Sequence, residues 1–182
     1  MRDFIYAEMM VHVPTCTSKE PKNVLVISGD SKIFEDELKK YSEGLSVSVA
    51  KDLDGVSSLG DAIFDVAICE NEIDATLLAH LNRVLKIDGL ISVANVDLGQ
   101  VEASKKLISL LGTSFKIVMP YFLGDNSKTA LLCSKEYHPT ADVNLHRADM
   151  LDGLDYYNSD VHRGVFAMGN YIRKEYLGVI KN

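Results

Sequence analysis

Short apolar runs alternate with helical stretches along most of the chain, and this rhythm restricts the fold more than any other feature of the sequence. Residues 24–27 form a continuous aliphatic run, VLVI, between Pro21 and the turn-forming Ser28-Gly29-Asp30. Such a run is typical of a buried strand. Because it is continuous rather than alternating, it favours a parallel sheet that is covered on both faces.

The same rhythm continues towards the C-terminus. A parallel strand returns to its sheet only through a crossover, and the helical stretches supply these crossovers. The sequence therefore predicts an open, twisted α/β sheet. The predicted strands are residues 24–27, 46–50, 65–69, 90–94, 115–119 (ending at Pro120) and 129–134, and the predicted helices are residues 32–41, 74–86, 101–111 and 160–174.

A chain of 182 residues corresponds to about one domain. We expect a lead-in segment at residues 1–20, an α/β core at 21–136, and a C-terminal segment with a closing helix at 137–182. The sequence contains no run of about 18 apolar residues, so no membrane partner is expected.

The charge balance and the cysteines narrow the range of partners. Lys and Arg number 19 against 26 Asp and Glu, a formal net charge of −7. This excess of acid disfavours nucleic acid, which requires a concentrated basic face, and suits a cationic ligand. Three cysteines at irregular spacing predict neither a disulfide framework nor a zinc site. Without a signal peptide, a cytoplasmic location is expected.

Polar residues follow four of the predicted strands, at residues 28–31, 51–54, 70–72 and 95–97. In open α/β sheets, ligands bind beyond the carboxyl ends of the strands, near the point where the strand order reverses. These loops are therefore the predicted site. The alternative is that their Asp, Ser and Asn side chains cap the helices that follow.

Two long motifs near the ends of the chain resemble one enzyme family. Residues 3–14 read DFIYAEMMVHVP, and residues 156–168 read YYNSDVHRGVFAM. The first is similar to the segment with which spermidine synthases enter their catalytic domain, and the second is similar to a motif near the end of that domain. The resemblance covers nearly the whole chain. It implies a Rossmann-like open sheet of the S-adenosylmethionine-methyltransferase type, with helices on both faces.

The resemblance also implies a reaction, the transfer of an aminopropyl group from decarboxylated S-adenosylmethionine to putrescine or a related diamine. Decarboxylated S-adenosylmethionine would be a co-substrate, with no permanently bound cofactor and no metal. In this reaction an amine attacks a carbon beside a sulfonium, so acidic side chains must hold the diamine and help to remove a proton.

The residues on the amine side are assigned by the same resemblance. Tyr6 matches the tyrosine beside the reacting amine, and Glu70 keeps a carboxylate at the first acidic position of the catalytic loop, as general base or amine anchor. Tyr156 or Tyr157 matches the aromatic residue that contacts the polyamine, and Glu72 is a further candidate for binding it. The alternative for both C-terminal tyrosines is packing in the core.

On the nucleoside side, Gly29 and Asp30 fall in the family's glycine-rich loop, and a single gap decides whether Asp30 or Ser31 takes the aspartate position. The ribose-binding acid falls at Ala50, so Asp52, two places on, is the nearby substitute. Side chains that replace glycines in the loop are expected to crowd the ligand.

Further departures predict weak or lost activity. Ile73 replaces the second aspartate of the catalytic loop, and the chain begins almost at the entry motif, which implies the absence of the family's N-terminal β-strand domain. Four apolar side chains would then need a new cover, for which a homodimer is the simplest source. They are Phe4, Ile5, Met9 and Met10.

Two other functions remain open at this point. The chain could be a noncatalytic family member that binds polyamine or nucleoside or assists assembly, or a small-molecule methyltransferase, because the fold is shared. Among single residues, His12 shows no partner pattern and is interpreted as a packed or surface histidine. His162 is interpreted as docking a helix onto the sheet, and Cys69 as an inert small hydrophobe.

Overall fold

Six strands form one sheet in the part of the chain that the computed structural model describes, residues 3–41, 44–124 and 128–182. Their order across the sheet is β2-β1-β3-β4-β6-β5, and β2, β1, β3 and β4 run parallel. The strands are β1 (Asn23–Ile27), β2 (Ser46–Ala50), β3 (Phe64–Cys69), β4 (Leu85–Val96), β5 (Ile117–Phe122) and β6 (Thr129–Ser134).

Strand β6 runs antiparallel to both of its neighbours, β4 and β5. Strand β5 ends at Phe122 and β6 begins at Thr129, which leaves too few residues for the crossover that a parallel return requires. The predicted open α/β sheet is confirmed, with this one reversal. Strand β5 also continues through Pro120, where the sequence predicted its end, because an edge strand tolerates proline.

Helices cover both faces of the sheet, as predicted. The apolar cluster on one face includes residues of α1 (Asp3–Thr17), α2 (Lys32–Leu38), α6 (Leu145–Asp149) and α7 (Ser159–Gly164). The cluster on the other face includes residues of α3 (Leu53–Ser57), α4 (Ala75–Val84), α5 (Val101–Leu111) and α8 (Asn170–Glu175). The sheet therefore separates two hydrophobic cores.

Helix α1 is fixed to the middle of the sheet through a defect in its own hydrogen bonding. Pro14 lies inside the helix and has no N–H, so the Met10 carbonyl lacks its helical donor. The hydroxyl of Ser92 in β4 donates to that carbonyl instead, at 2.9 Å. Met9 and Met10 are fully buried against the sheet. The expectation that these two methionines need cover from a second copy is therefore wrong.

Two predicted helix ends are also corrected. Helix α4 ends at Val84 rather than at residue 86, because Leu85 already pairs with Phe64 of β3. The closing helix predicted at 160–174 is two helices, α7 and α8. Between them, the Val165 carbonyl accepts the Phe122 N–H of edge strand β5, at 3.0 Å, instead of a helical N–H.

Candidate functional site

The carboxyl ends of β1 and β3 define the crevice at which the sequence placed the site. The chain leaves β1 for β2 on one side of the sheet and leaves β3 for β4 on the other, so the strand order reverses between β1 and β3. Ser28 follows β1, and Glu70 follows β3. Open α/β sheets bind their ligands at such a point.

The half-buried Glu70 carboxylate is held from two directions. The Tyr6 hydroxyl donates to Oε1 at 2.6 Å, and the Ser28 hydroxyl donates to Oε2. Tyr6 comes from α1 and Ser28 from the end of β1, so two separate elements orient one acid. The structure thus brings together Tyr6 and Glu70, both predicted from the sequence. It adds Ser28, which sequence reasoning noticed only as part of its loop.

Tyr6 serves Glu70 as a hydrogen-bond donor. Burial raises the pKa of its hydroxyl far above the ordinary value, and the hydrogen bond to Glu70 raises it further, so the phenol keeps its proton at neutral pH. Its ring packs on Phe34 of α2, with 5.8 Å between the ring centroids. Both ends of the Tyr6 side chain are therefore fixed.

Two asparagine side chains tie neighbouring loops to the site. The Asn95 amide, at the end of β4, donates to the Glu70 carbonyl at 3.2 Å, and the Asn71 amide donates to the Lys51 carbonyl at 3.0 Å. Asn95 has a φ of 59°, in the left-handed region that asparagine enters more readily than most residues. The loops after β2, β3 and β4 are thereby joined.

A cleft of about 1040 Å³ opens from Glu70 between the β3–α4 loop, the end of β4 and helix α5. Its lining carries four carboxylates and one lysine, Lys106, so the cleft is acidic. Leu107 and Leu110 contribute apolar surface from α5. The lining carboxylates are those of Glu70, Glu72, Asp74 and Asp97.

The acids and the isoleucine of the β3–α4 loop have distinct positions. Glu72 is exposed on the cleft lining. Ile73, which stands where the resemblance expects a second aspartate, is 6% exposed and packs in the apolar core. Asp74 caps α4 by accepting the Leu77 N–H at 2.7 Å. In this loop, Asp74 thus caps a helix and Ile73 packs in the core, whereas Glu72 faces the cleft.

The residues predicted for the nucleoside side follow β1 and β2 at the same edge of the sheet. Gly29 and Asp30 are exposed, and a Cβ added at Gly29 would meet no heavy atom within 4 Å. The Asp30 N–H donates to the Ser28 hydroxyl oxygen at 3.0 Å. Asp52 caps α3 by accepting the Gly55 N–H at 3.0 Å, which is the capping role left open above.

The two C-terminal tyrosines differ in their surroundings. Tyr157 is 3% exposed, its hydroxyl bonds Nδ1 of His162 at 2.7 Å, and its ring lies against His12. Tyr156 is half-buried, and its hydroxyl donates to the Gly124 carbonyl at 3.3 Å, just beyond the end of β5. Tyr157 therefore belongs to the core, and Tyr156 lies at the carboxyl edge of the sheet.

Both buried histidines have partners. His12 is packed, one of the two positions expected for it, but it does have partners: its ring nitrogens bond the Tyr41 hydroxyl and the Glu37 carboxylate, each at 2.9 Å. Periodicity could not reveal this cluster, since its members come from α1, α2 and the turn after α2. His162 is fully buried and bonds the Pro139 carbonyl at 2.9 Å, so it packs the C-terminal segment in place.

Within the described ranges, no group of three His, Cys, Asp or Glu side chains is placed to hold a metal ion, and no helix is long and apolar enough to cross a membrane. All three cysteines are buried and unpaired with one another. Burial raises the pKa of the Cys69 thiol to about 12, which leaves it a weak nucleophile at neutral pH.

One protein-family model, the spermine/spermidine synthase domain, matches residues 3–115. The chain belongs to this family. The matched region contains Tyr6, Ser28, Glu70 and Asn95, so the crevice between β1 and β3 lies within the family domain.

Curated members of the spermine/spermidine synthase family match most of the chain. A polyamine aminopropyltransferase of Helicobacter acinonychis is 28% identical over 192 residues, which cover 90% of this chain and 73% of the relative. A polyamine aminopropyltransferase of Helicobacter pylori strain G27 is 26% identical, with 98% and 79% covered. Another, of Thermotoga petrophila, is 26% identical, with 95% and 74% covered.

Solved structures show how far the fold is shared within and beyond the family. The spermidine synthase of Thermotoga maritima is similar at a TM-score of 0.75 and 24% identity, with 95% of this chain and 74% of that chain covered. A phosphoethanolamine N-methyltransferase of Haemonchus contortus is similar at a TM-score of 0.57 and 16% identity, with 81% and 41% covered. The expected Rossmann-like, methyltransferase-type sheet is thus confirmed.

Proposed function

We propose that the chain transfers an aminopropyl group from decarboxylated S-adenosylmethionine to putrescine or a related diamine. The observation that carries the proposal is the Glu70 carboxylate, held by Tyr6 and Ser28 at the point where the strand order reverses. The curated relatives are polyamine aminopropyltransferases, which supports this type of transfer. The acidic cleft that opens from Glu70 suits cationic substrates.

In the proposed reaction, the lone pair of a neutral amine attacks the methylene carbon beside the sulfonium. A C–N bond forms, the C–S bond breaks, and its electron pair stays on sulfur, which releases methylthioadenosine. The new ammonium then loses a proton. Glu70 is suited to orient the amine and to accept that proton, because Tyr6 and Ser28 align its two oxygens and leave each oxygen a second lone pair.

The far amine of the diamine stays charged and needs a second anion. Ile73 provides none, because it packs in the core. Glu72 and Asp97, both on the cleft lining, are the acids we assign to that task. An anchor displaced by about 1 Å can cost about 100-fold in rate, so we expect weaker turnover than in relatives that carry both loop acids.

The nucleoside half of the co-substrate is assigned to the carboxyl edge beside Gly29, Asp30 and Asp52. The open space around Gly29 lets a ligand approach the backbone closely. Asp52 already caps α3 through one oxygen, so a ribose hydroxyl would share its carboxylate with the helix. We infer weak binding of the nucleoside for the same reason.

The test uses decarboxylated S-adenosylmethionine labelled in the aminopropyl group, with putrescine in excess. The proposal predicts labelled spermidine and an equal amount of methylthioadenosine. No labelled polyamine at an enzyme concentration equal to that of the co-substrate would contradict it.

A noncatalytic polyamine-binding role is the second candidate, favoured by the core position of Ile73 and the capping role of Asp52. Calorimetric titration separates the two. Putrescine binding without transfer and without methylthioadenosine binding would support the noncatalytic role, whereas binding of both ligands supports the enzyme.

A further inference from the structure

Glu8 lies on α1, two residues after Tyr6, and is only 1% exposed. Its carboxylate accepts three successive backbone N–H groups. Asp155 donates to Oε1 at 2.9 Å, and Tyr156 and Tyr157 donate to Oε2 at 2.9 and 2.7 Å. A buried carboxylate is costly unless its oxygens are satisfied, and here backbone amides satisfy them.

We propose that Glu8 is a positioning residue that fixes Tyr156 at the carboxyl edge of the sheet, the edge at which Tyr6 meets Glu70. The catalytic consequence of this role rests on the proposed function. Tyr156 is then the member of the tyrosine pair that contacts the polyamine, since the Tyr157 hydroxyl is bonded to His162 in the core.

The backbone of the 155–157 segment is held by Glu8, and two further contacts hold its surroundings. The Tyr156 hydroxyl donates to the Gly124 carbonyl at 3.3 Å. Gly124 has a φ of 87°, and a Cβ there would lie 2.6 Å from Cγ2 of Ile5, the residue before Tyr6. Gly124, whose carbonyl accepts the Tyr156 hydroxyl, therefore packs against the N-terminal part of α1.

One helix thus fixes both Tyr6 and the segment that carries Tyr156. Helix α1 directs Tyr6 to Glu70 and, through Glu8, anchors the segment that carries Tyr156. Lys40, which follows α2, also holds the chain just before this segment, because its ammonium donates to the Gly153 carbonyl at 2.9 Å. A shift of α1 would move both tyrosines together.

The decisive variant is Glu8→Gln, which keeps the shape of the side chain and replaces one accepting oxygen with an NH2 group. Whichever way the amide is turned, at least one of the three N–H groups loses its acceptor. Hydrogen exchange of the amides of residues 155–157 should then accelerate at least about 10-fold in one or more positions. If this variant is too unstable to label, Glu8→Asp should give a smaller acceleration at the same amides.

Asp65→Asn is the matched control. Asp65 is also a buried carboxylate that accepts backbone N–H groups, those of Lys22 and Asn23 at 3.0 and 2.8 Å, but it lies at the opposite edge of the sheet. Both N–H groups donate to the single oxygen Oδ2, so asparagine can keep them with its amide oxygen, and the change mainly removes the ion pair with Lys86. Exchange at residues 155–157 should stay unchanged. Unchanged exchange at 155–157 in both Glu8 variants would overturn the proposal, whether or not the chain is an enzyme.

The kinetic readout separates positioning from mere anchoring. Glu8→Gln should raise the KM for the diamine at least about fivefold and change kcat less, because it removes binding contacts and leaves Glu70 in place. Asp65→Asn should leave both constants unchanged. Faster exchange in Glu8→Gln with an unchanged KM for the diamine would overturn the positioning role. If the wild-type chain shows no transfer, the proposed function is contradicted. The exchange of the 155–157 amides then still tests whether Glu8 anchors this segment.

Discussion

At the scale of single residues, the proposed site centres on one acid and its two donors. Glu70 is one methylene longer than an aspartate, and Ser28 stands where the resemblance expects glycine. The Ser28 hydroxyl donates to Glu70 instead of crowding the crevice with an unused side chain. The serine and the longer acid therefore function as a pair.

Tyr6→Phe and Ser28→Ala test whether these donors orient one carboxylate. Each variant should lower kcat/KM for transfer about 10-fold, the expected cost of one hydrogen bond to a charged group. The double variant should lose less than the product of the two effects, because the donors act on the same acid. Steady-state kinetics of the four proteins provides the cycle.

Ser57→Ala is the control for that cycle, since its hydroxyl donates to the Asp54 carbonyl at an exposed position. Its kcat/KM should equal that of the wild type. Strictly multiplicative effects of Tyr6→Phe and Ser28→Ala would show that the two donors act independently and would contradict the shared orientation of Glu70.

The resemblance proposed Tyr6 from a distinctive motif and Glu70 from its place after β3. It could not predict the hydrogen bond between them, which joins residues 64 positions apart. It left open whether Asp52 binds a ligand or caps a helix, and the structure shows the cap. The sequence likewise could not show which of Tyr156 and Tyr157 lies in the core. The two are adjacent and identical, and only the folded backbone directs one towards His162 and the other towards Gly124. For Ser28, which replaces a glycine, the resemblance predicted only crowding of the ligand and not the bond to Glu70.

At the scale of elements, α1 depends on the Ser92 hydroxyl to satisfy the carbonyl that Pro14 leaves without a helical donor. Ser92→Ala should lower the free energy of unfolding by about 1–3 kcal/mol, the cost of an unsatisfied buried polar group. In a Pro14→Ala background, the helix supplies its own N–H, so the same change should cost clearly less. Urea unfolding of the four proteins measures the difference; equal costs in both backgrounds would contradict the exchange of donors.

The predicted elements succeed where local periodicity decides the structure and fail where a distant partner decides it. Helix α5 has the predicted bounds, residues 101–111, because its apolar periodicity and the residues that flank it indicate the same start and end. The closing helix is interrupted because the Val165 carbonyl pairs with Phe122, a residue of the edge strand. No local sequence pattern predicts this hydrogen bond between Phe122 and Val165.

At the scale of the whole molecule, buried histidines link stability to pH. Burial lowers the pKa of His162 from 6.5 to about 4, and the carbonyl of Pro139 fixes the neutral ring with its proton on Nε2. The unfolded chain therefore binds more protons below pH 6.5, so stability falls as the pH drops from 6.5 towards 4. The full effect is on the order of 3 kcal/mol. His12, whose pKa is also lowered by burial, adds in the same direction.

His162→Gln should remove its share of this dependence. The difference between the unfolding free energies at pH 7 and pH 4.5 should be smaller in the variant than in the wild type. The control is His138→Gln, at a half-buried position. A slope that His162→Gln leaves unchanged would show that the ring is not held neutral.

The net charge of −7 agrees with the proposed cationic substrate. The homodimer expected from the sequence stays a prediction. With Met9 and Met10 buried, the argument for that dimer loses two of its four side chains. The proposed function therefore depends on the chemistry at Glu70 and not on assembly.

The most direct measurement is single-turnover transfer, with enzyme in excess over labelled decarboxylated S-adenosylmethionine and saturating putrescine. The wild type and Glu102→Gln, a change at an exposed acid of α5, should form spermidine at the same rate. Glu70→Gln should be slower by about 100-fold or more, the lower bound for loss of a positioned acid or base. Equal rates in wild type and Glu70→Gln, or no spermidine from the wild type, would contradict the assignment of Glu70 as the acid of an aminopropyl transfer.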